Sequence, residues 1–213
     1  MNDERTLMPL NTFAVIDFET TGLSPEHGAR PTEIAIVLVR NHQIVDRYQS
    51  LMNPEMRIPA DIQALTGITQ AMVRTAPSIE AVMKQAADFA GQYPLVAHNA
   101  AFDRKFWDAE TQKINHRRAQ PFVCSLLLSR RLFPDVPNHR LGTLVQTLNL
   151  PQTGRFHRAL ADAQATAHLL MRIQSELKQR YELEMIGEDI LCQIQTIGRK
   201  KMDAFFKGMQ IKK

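Results

Sequence analysis

The sequence predicts an α/β domain in which helices cover both faces of a mixed five-stranded sheet. Three strand-like segments open the chain, and strand-like and helical segments then alternate until about residue 181. This order of three early strands followed by alternating strands and helices indicates an α/β domain with a mixed sheet. The 213 residues, 44% of them hydrophobic, suffice for one such domain and a modest extension.

The first three strands are predicted from runs of β-branched, aromatic and aliphatic residues. Residues 13–19 (FAVIDFE) end at the turn-forming sequence TTG. Residues 33–40 (EIAIVLVR) are almost continuously apolar, as expected for a strand that is buried on both faces. Residues 44–52 are predicted to be the antiparallel partner of this strand, because only the polar residues 41–43 separate the two.

The helices are predicted from apolar residues at helical spacing and from capping residues at the helix ends. Ser78 is expected to cap a helix that ends near Ala90, before Gly91. A long helix from Ala159 to Tyr181 carries leucine, isoleucine and alanine at the same spacing. The remaining predicted elements are helical turns at 59–65 and 69–73, strands at 95–98 and 122–124, and helices at 100–114, 125–133 and 141–148.

Residues 1–181 are expected to form one domain, and residues 182–213 a C-terminal tail that is helical and basic. Five apolar residues at helical spacing predict an amphipathic helix in this tail: Leu183, Ile186, Ile190, Ile194 and Ile197. From Gly198 onward the tail holds six basic residues and one acid, so the rest of the chain is close to neutral. The main domain is therefore not a surface that binds nucleic acid by bulk charge, and any such binding belongs in a site.

Cysteine content and the N-terminal sequence exclude several classes of protein. The two cysteines, Cys124 and Cys192, form no CxxC motif and no Cys/His cluster, which argues against a zinc site or a disulfide framework and favours a reducing compartment. The N-terminal residues contain no basic region followed by a long apolar run, and no apolar stretch approaches the roughly 20 residues of a membrane span. A cytoplasmic protein without a membrane partner is expected.

Two acidic residues interrupt the first predicted strand. Asp17 and Glu19 lie two residues apart, so both side chains project from the same face of the strand. Their neighbours are apolar, and burying two adjacent carboxylates is costly unless a cation compensates their charge. Oxygen-rich clusters of this kind suit Mg²⁺ or Mn²⁺. Taken alone, the pair is also compatible with two exposed acids at a strand end.

Two later segments carry acids at the start of predicted helices. Asp103 lies in the first turn of its helix, where it could instead be an acid favoured by the helix dipole. Asp162 lies one turn into the long helix, between small alanines that leave its carboxylate accessible, and His157 precedes that helix. Taken alone, His157 is compatible with a solvated loop histidine, and residues 65–68 (LTGI) with a plain turn.

The joint order of these segments is more informative than any one of them. The chain contains FAVIDFETTGL on the first strand, HNAAFD after a later strand and HRALADA at a late helix, with supporting stretches LTGI, VCSLLLSRRLFP and HRLGTL. This arrangement, over residues 11–175, resembles the DEDD exonuclease family, in the branch with a histidine five residues before the last aspartate (DEDDh). It is most similar to the proofreading (epsilon) subunit of bacterial DNA polymerase III and its stand-alone homologues. The resemblance implies a ribonuclease-H-like fold and a 3′→5′ exonuclease.

The resemblance also implies a role for each acid and for the histidine. Asp17, Glu19 and Asp162 would hold a first divalent ion, and Asp17 and Asp103 a second, which gives two Mg²⁺ or Mn²⁺ ions per active site. His157 would be the general base that takes a proton from the attacking water. The substrate would be the 3′ end of single-stranded or frayed DNA, and the products 5′-mononucleotides.

The family's pocket for the terminal nucleotide corresponds to eight positions of this chain: Thr20, Thr21, Gly22, Leu23, Thr66, Ile68, Asn99 and Phe102. Gly22 would let the backbone approach the substrate, and Leu23 and Phe102 would offer apolar faces to base and sugar. The chain departs from the proofreading subunits near the LTGI segment, where they carry a histidine and this chain has Leu65-Thr66.

The sequence leaves several alternatives open. RNA-trimming relatives share the same carboxylates, so an exoribonuclease is an alternative to a DNA exonuclease, as is an inactive nucleic-acid-binding module. The tail is compatible with a helix packed on the domain or on a second copy, or with a basic segment that contacts nucleic acid. Residues 199–206 (RKKMDAFF) also resemble a sliding-clamp-binding peptide, so a clamp or a DNA polymerase is a further candidate partner. The oligomeric state is not predicted.

Overall fold

The structure is a computed structural model that describes residues 12–154 and 157–210. It contains one five-stranded sheet in the order β3-β2-β1-β4-β5. Strand β2 pairs antiparallel with β1 and β3, and β4 pairs parallel with β1 and β5. The strands are β1 (Thr12–Thr20), β2 (Pro31–Arg40), β3 (Gln43–Leu51), β4 (Leu95–Ala97) and β5 (Phe122–Cys124). The predicted mixed five-stranded sheet is confirmed.

Helices lie on both faces of the sheet, as predicted. They are α1 (Ala60–Thr66), α2 (Gln70–Arg74), α3 (Ile79–Ala90), α4 (Ala100–Lys113), α5 (Ser125–Leu132), α6 (Leu141–Thr147), α7 (Ala159–Tyr181), α8 (Glu188–Ile194) and α9 (Met202–Gln210), with 3-10 turns at Pro25–His27 and Arg199–Lys201. Ser78 caps α3 through its hydroxyl, which accepts a hydrogen bond from the N–H of Ala81, and Gly91 ends the helix at φ +53°. Within the part of the chain described, no helix is long and apolar enough to cross a membrane.

Alternation along β1 divides its side chains between two hydrophobic cores. Ile16 packs on one face, in a core that includes side chains of α3 and α4. Val15 packs on the other face, in a core that includes side chains of α5 to α9. Because side chains alternate along a strand, Asp17 and Glu19 continue the row of Val15 and project toward the α7 face. The predicted placement of both acids on one face is thus confirmed.

The C-terminal tail is packed into the second of these cores. Ile186, Ile190 and Ile194 are buried there, together with Met202 and Phe206. One predicted feature is wrong: residues 183–197 do not form one amphipathic helix. Helix α7 ends where Glu182 adopts a left-handed conformation, and α8 begins only after Gly187, whose backbone is extended. The boundary between residues 1–181 and 182–213 stays a prediction, and residues 1–11 and 211–213 lie outside the described range.

Gln195, just after α8, closes the open edge of the sheet. Strand β5 is the last strand, so one side of its backbone has no neighbouring strand. The side-chain amide of Gln195 takes that place, accepting a hydrogen bond from Cys124 N at 2.8 Å and donating one to Phe122 O at 3.0 Å. Arg131 of α5 holds the same segment by donating to the carbonyls of Gln195 and Ile197. The tail therefore covers an edge that would otherwise be free to pair with another chain.

Candidate active site

Three chain segments bring the predicted acids to one end of the sheet. Asp17 and Glu19 lie near the end of β1, and Asp103 and Asp162 each lie in the first turn of a helix, α4 and α7 respectively. Because β1 and β4 are parallel, α4 begins beside the end of β1. Helix α7 packs against β1 and β2, and this brings Asp162 to the same place.

Asp103 is fixed by a backbone group of β1. Strand β4 ends at Ala97, so it pairs with β1 only at Ala14 and Val15. Further along β1, the N–H of Phe18 donates instead to Asp103 Oδ1 at 3.2 Å. Asp103 is 2% exposed, and this bond links residues 85 apart in the chain. The carboxylate thus occupies the place of a missing strand partner, which positions it next to Asp17.

The turn that leads into α4 is held by His98. Its two ring nitrogens lie 2.9 Å from Ser125 Oγ and 2.9 Å from the carbonyl oxygen of His139. Burial lowers the pKa of His98 to about 4, so the ring is neutral near pH 7 and can donate to the carbonyl. The next residue, Asn99, has φ +68°, a left-handed conformation that asparagine tolerates better than most residues. His98 therefore orients the loop through hydrogen bonds at both ring nitrogens.

His157 and Asp162 are joined by a hydrogen bond. The backbone N–H of His157 donates to Asp162 Oδ2 at 2.9 Å. Asp162 Oδ1 is buried and has no hydrogen-bond partner in the described part of the chain. Glu19, His157 and Asp162 each offer a potential ligand atom, and these atoms lie within 4.8 Å of one another. His157 has φ +63°, a conformation that costs a residue with a side chain roughly 1–2 kcal/mol and must be held by its surroundings.

Burial raises the pKa of every acid in this group, and neighbouring carboxylates raise the pKa values of Asp17 and Glu19 further. Burial, followed by the charges of Asp103 and Asp162, raises the pKa of Asp17 well above its usual range. Burial, then Asp162, raises the pKa of Glu19 to about 8, and burial raises that of Asp103 to about 7. The pKa of Asp162 is also raised, chiefly by burial. The ionised forms are therefore unfavourable in this site unless a cation is bound.

The donor set fits a hard divalent cation. Four carboxylates converge, one of their buried oxygens has no partner among the described residues, and burial together with neighbouring carboxylates raises the pKa values of Asp17 and Glu19. Carboxylate oxygen is the ligand that Mg²⁺ and Mn²⁺ prefer. The structure brings together the residues that were predicted to form the site: Asp17, Glu19, Asp103, Asp162 and His157. The role of each residue stays a prediction.

Two charged residues of the site were not predicted. Glu33 of β2 lies directly opposite Glu19 in the antiparallel register, and its carboxylate is bound by Arg158, the residue after His157. An acid within an otherwise apolar strand (EIAIVLVR) was the available signal for Glu33. The sequence pattern could not identify Arg158 as the ion-pair partner of Glu33, because the two residues lie 125 positions apart.

Four of the predicted pocket residues lie at the end of β1, which is Thr20, and in the loop that follows it. Thr20 is buried and its hydroxyl donates to Gly22 O at 2.6 Å. The Thr21 hydroxyl accepts from Arg30 N at 2.9 Å and lies 3.5 Å from the sulfur of Met56. A Cβ on Gly22 would lie 3.3 Å from Ala29 Cβ, so glycine allows the loop to close tightly. Leu23 is 84% exposed and is available to contact a substrate.

The remaining pocket positions differ in what they can offer. Ile68 is fully buried with Ile58 and Val73, so its side chain supports the loop and presents no surface to a ligand. The Thr66 hydroxyl is occupied, since it donates to Ile62 O and accepts from Ile68 N.

The apolar surfaces that face solvent near these segments were not all predicted. Leu65 and Met56 are 48% and 40% exposed, and sequence reasoning did not assign Met56 to the site. Phe102, which was assigned, is half-buried against Phe106 with 5.1 Å between ring centroids. The apolar rim near these segments therefore includes the exposed side chains of Leu23, Met56 and Leu65 and the half-buried ring of Phe102.

Comparison with known proteins agrees with this geometry. The family model described as Exonuclease (RNase_T) matches residues 14–170. The DNA polymerase III PolC-type of Bacillus cereus is 37% identical over 180 residues, which are 84% of this chain and 12% of that protein. The chain thus spans a small part of the length of the polymerases that it matches.

Solved structures with the same fold are also nucleases. Exonuclease X, in complex with 5′ overhanging duplex DNA, aligns with a TM-score of 0.68 and 30% identity, over 86% of this chain and 99% of that chain. The nuclease domain of 3′hExo, a DEDDh family member bound to rAMP, aligns with a TM-score of 0.67 and 24% identity, over 84% of this chain and 97% of that chain. These alignments confirm the expected ribonuclease-H-like fold.

Proposed function

The chain belongs to the exonuclease family of the DEDDh type, and from this premise we propose that it removes nucleotides one at a time from the 3′ end of a DNA strand. The observation that carries the proposal is the convergence of four buried or half-buried carboxylates with His157 at one end of the sheet. DNA is favoured over RNA because a 37% identical relative is a DNA polymerase and Exonuclease X was solved with duplex DNA.

The proposed cofactors are two Mg²⁺ or Mn²⁺ ions. Asp17, Glu19 and Asp162 would hold one ion, and Asp17 and Asp103 the other. When bound, such ions offset the charge of the scissile phosphate, acidify a water and stabilise the departing 3′ oxygen. The support from this chain is that burial, followed by the charges of neighbouring carboxylates, raises the pKa values of Asp17 and Glu19, and that Oδ1 of Asp162 has no partner within the described residues.

His157 is proposed as the general base. It is exposed, and a ring nitrogen lies within 4.8 Å of carboxylate oxygens of Glu19 and Asp162. An imidazole in this place can accept a proton from a water held beside the acids and release it to solvent. The deprotonated water would then bond to the phosphorus as the bond from phosphorus to the 3′ oxygen of the preceding nucleotide breaks. That oxygen would take a proton from solvent, and a 5′-mononucleotide would leave.

The terminal nucleotide is proposed to lie between the loop after β1 and the start of α4. Leu23, Leu65 and Phe102 would contact its base and sugar, since these side chains offer apolar surface. Thr20, Thr21, Gly22 and Asn99 shape the backbone around it, while Thr66 and Ile68 support the adjoining loop from within.

The experiment that tests this proposal uses 5′-labelled single-stranded DNA, a primer with a mismatched 3′ end and a short RNA. The purified protein with Mn²⁺ should shorten the DNA from its 3′ end as a ladder and release 5′-monophosphates. A preference for RNA would favour an exoribonuclease, and binding without cleavage would favour the inactive module. If a blocked 3′ terminus made no difference to the products, the proposed 3′→5′ direction of digestion would be wrong.

We also propose that the tail binds a DNA polymerase or a sliding clamp, and that the protein is located in the cytoplasm. The polymerase relatives support the first proposal. Phe206, however, is 1% exposed and stacks on Tyr181 with 3.8 Å between ring centroids, so this aromatic residue is not available as a clamp-binding anchor. A partner would have to contact the outer surface of α9 or another face of the domain.

A further inference from the structure

Glu33 is a buried acid that the proposed metal-binding set does not use. It lies on β2 opposite Glu19 and is 0% exposed. Its position next to the four converging carboxylates would by itself make it a candidate metal ligand. The bonding of its oxygens indicates a different role.

Both oxygens of Glu33 are already satisfied by the protein. Oε1 accepts from Arg158 Nη2 at 2.9 Å and from Gln49 Nε2 at 2.8 Å. Oε2 accepts from Arg158 Nε at 3.2 Å and from Ala159 N at 3.1 Å. The charge of Glu33 is thus neutralised by a two-pronged contact with arginine, a geometry that fixes orientation as well as charge. Asp162 differs, since its Oδ1 has no partner among the described residues.

These contacts hold the chain on one side of His157. The two residues that follow His157 are Arg158 and Ala159, and both are bound to Glu33. On the other side, the N–H of His157 is bound to Asp162. His157 itself has φ +63°, a conformation that persists only where the surroundings hold it. The histidine backbone is therefore fixed between Asp162 and Glu33.

We propose that Glu33 is a positioning residue for His157: through Arg158 and Ala159 it holds the backbone conformation that keeps the imidazole within reach of Glu19 and Asp162. The inference rests on the proposed function, because positioning matters for catalysis only if His157 acts on the substrate water. The alternative is that Glu33 and Arg158 form a partly buried ion pair that stabilises the fold and has no particular effect on His157.

A double-mutant cycle separates these alternatives. Glu33→Gln keeps the shape of the side chain, removes its charge and replaces one acceptor oxygen by a donor. We expect kcat to fall about 10–100-fold, the range typical of residues that orient a catalytic ligand, with KM and Mn²⁺ affinity within about threefold of wild type. In a His157→Ala background the same substitution should change kcat by less than about threefold, because there is no imidazole left to position.

Glu110→Gln is the matched control. Glu110 is equally buried, with its side chain 1% exposed, and it pairs with Arg30 and Lys113. None of these described contacts involves residues 157–159. Any loss of kcat in this variant should be the same in the wild-type and His157→Ala backgrounds. Equal losses for Glu33→Gln in both backgrounds would overturn the inference.

Two further measurements keep the inference testable if a variant or the nuclease activity fails. If Glu33→Gln does not fold, Arg158→Lys replaces it in the cycle, since the Arg158 side chain is 35% exposed and lysine keeps the charge but not the two-pronged contact. Amide hydrogen exchange of His157 and Ala159 should be at least about tenfold faster in Glu33→Gln than in Glu110→Gln. Unchanged exchange would refute the positioning role, whereas absence of cleavage by the wild-type protein would refute only the proposed function.

Discussion

The backbone N–H of His157 donates a hydrogen bond to Asp162 Oδ2 at 2.9 Å, and this contact links the proposed base to a proposed metal ligand. The two residues are five apart, at the junction between a loop and the first turn of α7. The other oxygen of Asp162 is left without a partner among the described residues. One carboxylate thus orients the histidine with one oxygen and can bind a cation with the other.

Replacement of the histidine should separate proton transfer from metal binding. His157→Ala should lower the single-turnover rate by about 10²–10⁴-fold, the contribution typical of general-base catalysis, while Mn²⁺ stays bound. The measurement is cleavage of a short single strand at saturating Mn²⁺, with binding followed by calorimetry. A ring nitrogen lies close enough to Glu19 and Asp162 to reach an ion, so a large loss of Mn²⁺ affinity would show that His157 is a ligand instead.

Replacement of Asp17, the acid proposed to hold both ions, should remove metal binding and activity together. Asp17→Ala deletes the carboxylate proposed to bridge both ions, so the rate and the Mn²⁺ affinity should each fall by at least about 100-fold. Asp108→Ala is the control, because Asp108 pairs with Arg118 on the surface of α4 and is outside the acid cluster. Activity of the wild-type protein should disappear in chelator and return with Mg²⁺ or Mn²⁺. Full activity in excess chelator would rule out the metal-ion mechanism.

Metal affinity should depend on pH because the acids hold protons when no metal is bound. The pKa of Glu19 is raised to about 8 and that of Asp103 to about 7, so near pH 6 a cation must displace protons from both. Each displaced proton makes the apparent affinity rise about tenfold per pH unit until the carboxylate's own pKa is passed. Calorimetry in two buffers with different heats of ionisation should detect proton release near pH 7. A pH-independent affinity would contradict the raised pKa values.

The same upward shifts in carboxyl pKa predict that the metal-free protein loses stability as pH rises. A carboxyl group whose pKa is higher in the folded state binds more protons folded than unfolded between its two pKa values. For Glu19 this window extends from about 4.5 to about 8, so the free energy of unfolding should decrease across it. In chelator, Tm should be at least a few degrees lower near pH 8 than near pH 6, since 1 kcal/mol corresponds to about 2–4 °C for a domain of this size. Saturating Mn²⁺ should reduce or reverse the difference.

The tail should be required for the stability of the domain. Gln195→Leu removes both hydrogen bonds that cover the edge of β5 and leaves Cys124 N and Phe122 O unsatisfied, which should cost about 1–3 kcal/mol. Phe206→Ala should cost about 3–5 kcal/mol, because the ring is buried against Tyr181. Urea unfolding measures both changes. Gln193→Leu, at an exposed position of the preceding helix α8, is the control, and an unchanged midpoint for Gln195→Leu would show that the edge contact is dispensable.

The exposed apolar rim should affect substrate binding without affecting the fold. Leu23 is 84% exposed, so Leu23→Ala should raise KM for single-stranded DNA by at least about fivefold, which corresponds to the lower end of the roughly 1–3 kcal/mol that a contact to one base contributes. The midpoint of urea unfolding should not change. Val45→Ala, on β3, removes an aliphatic side chain that is 46% exposed and should leave KM unaltered. An equal effect of both substitutions would exclude a specific contact by Leu23.

Local pattern in the sequence was sufficient to predict most of the helices and strands, whereas the acids and His157 were predicted from the resemblance to the DEDDh exonucleases. Alternation placed Asp17 and Glu19 on one face of β1, and helical spacing with Ser78 and Gly91 at the ends predicted α3. These features depend on neighbours within a few residues, so a single sequence contains them. The tail helix was the exception. Its apolar spacing predicted one helix, but the turn at Glu182 and Gly187 divided the segment so that its apolar residues could pack on the domain.

The sequence by itself determined the strands, the helices and the acids and histidine available for chemistry, whereas the tertiary structure decided which groups meet and which remain exposed. The contact of Asp103 with Phe18 spans 85 residues, and that of Glu33 with Arg158 spans 125. Ile68 is buried and Leu65 is exposed, although both belong to the LTGI segment. Such outcomes depend on the order in which strands pair and on the surface against which each helix packs. Those are relations between distant parts of the chain, and local periodicity does not encode them.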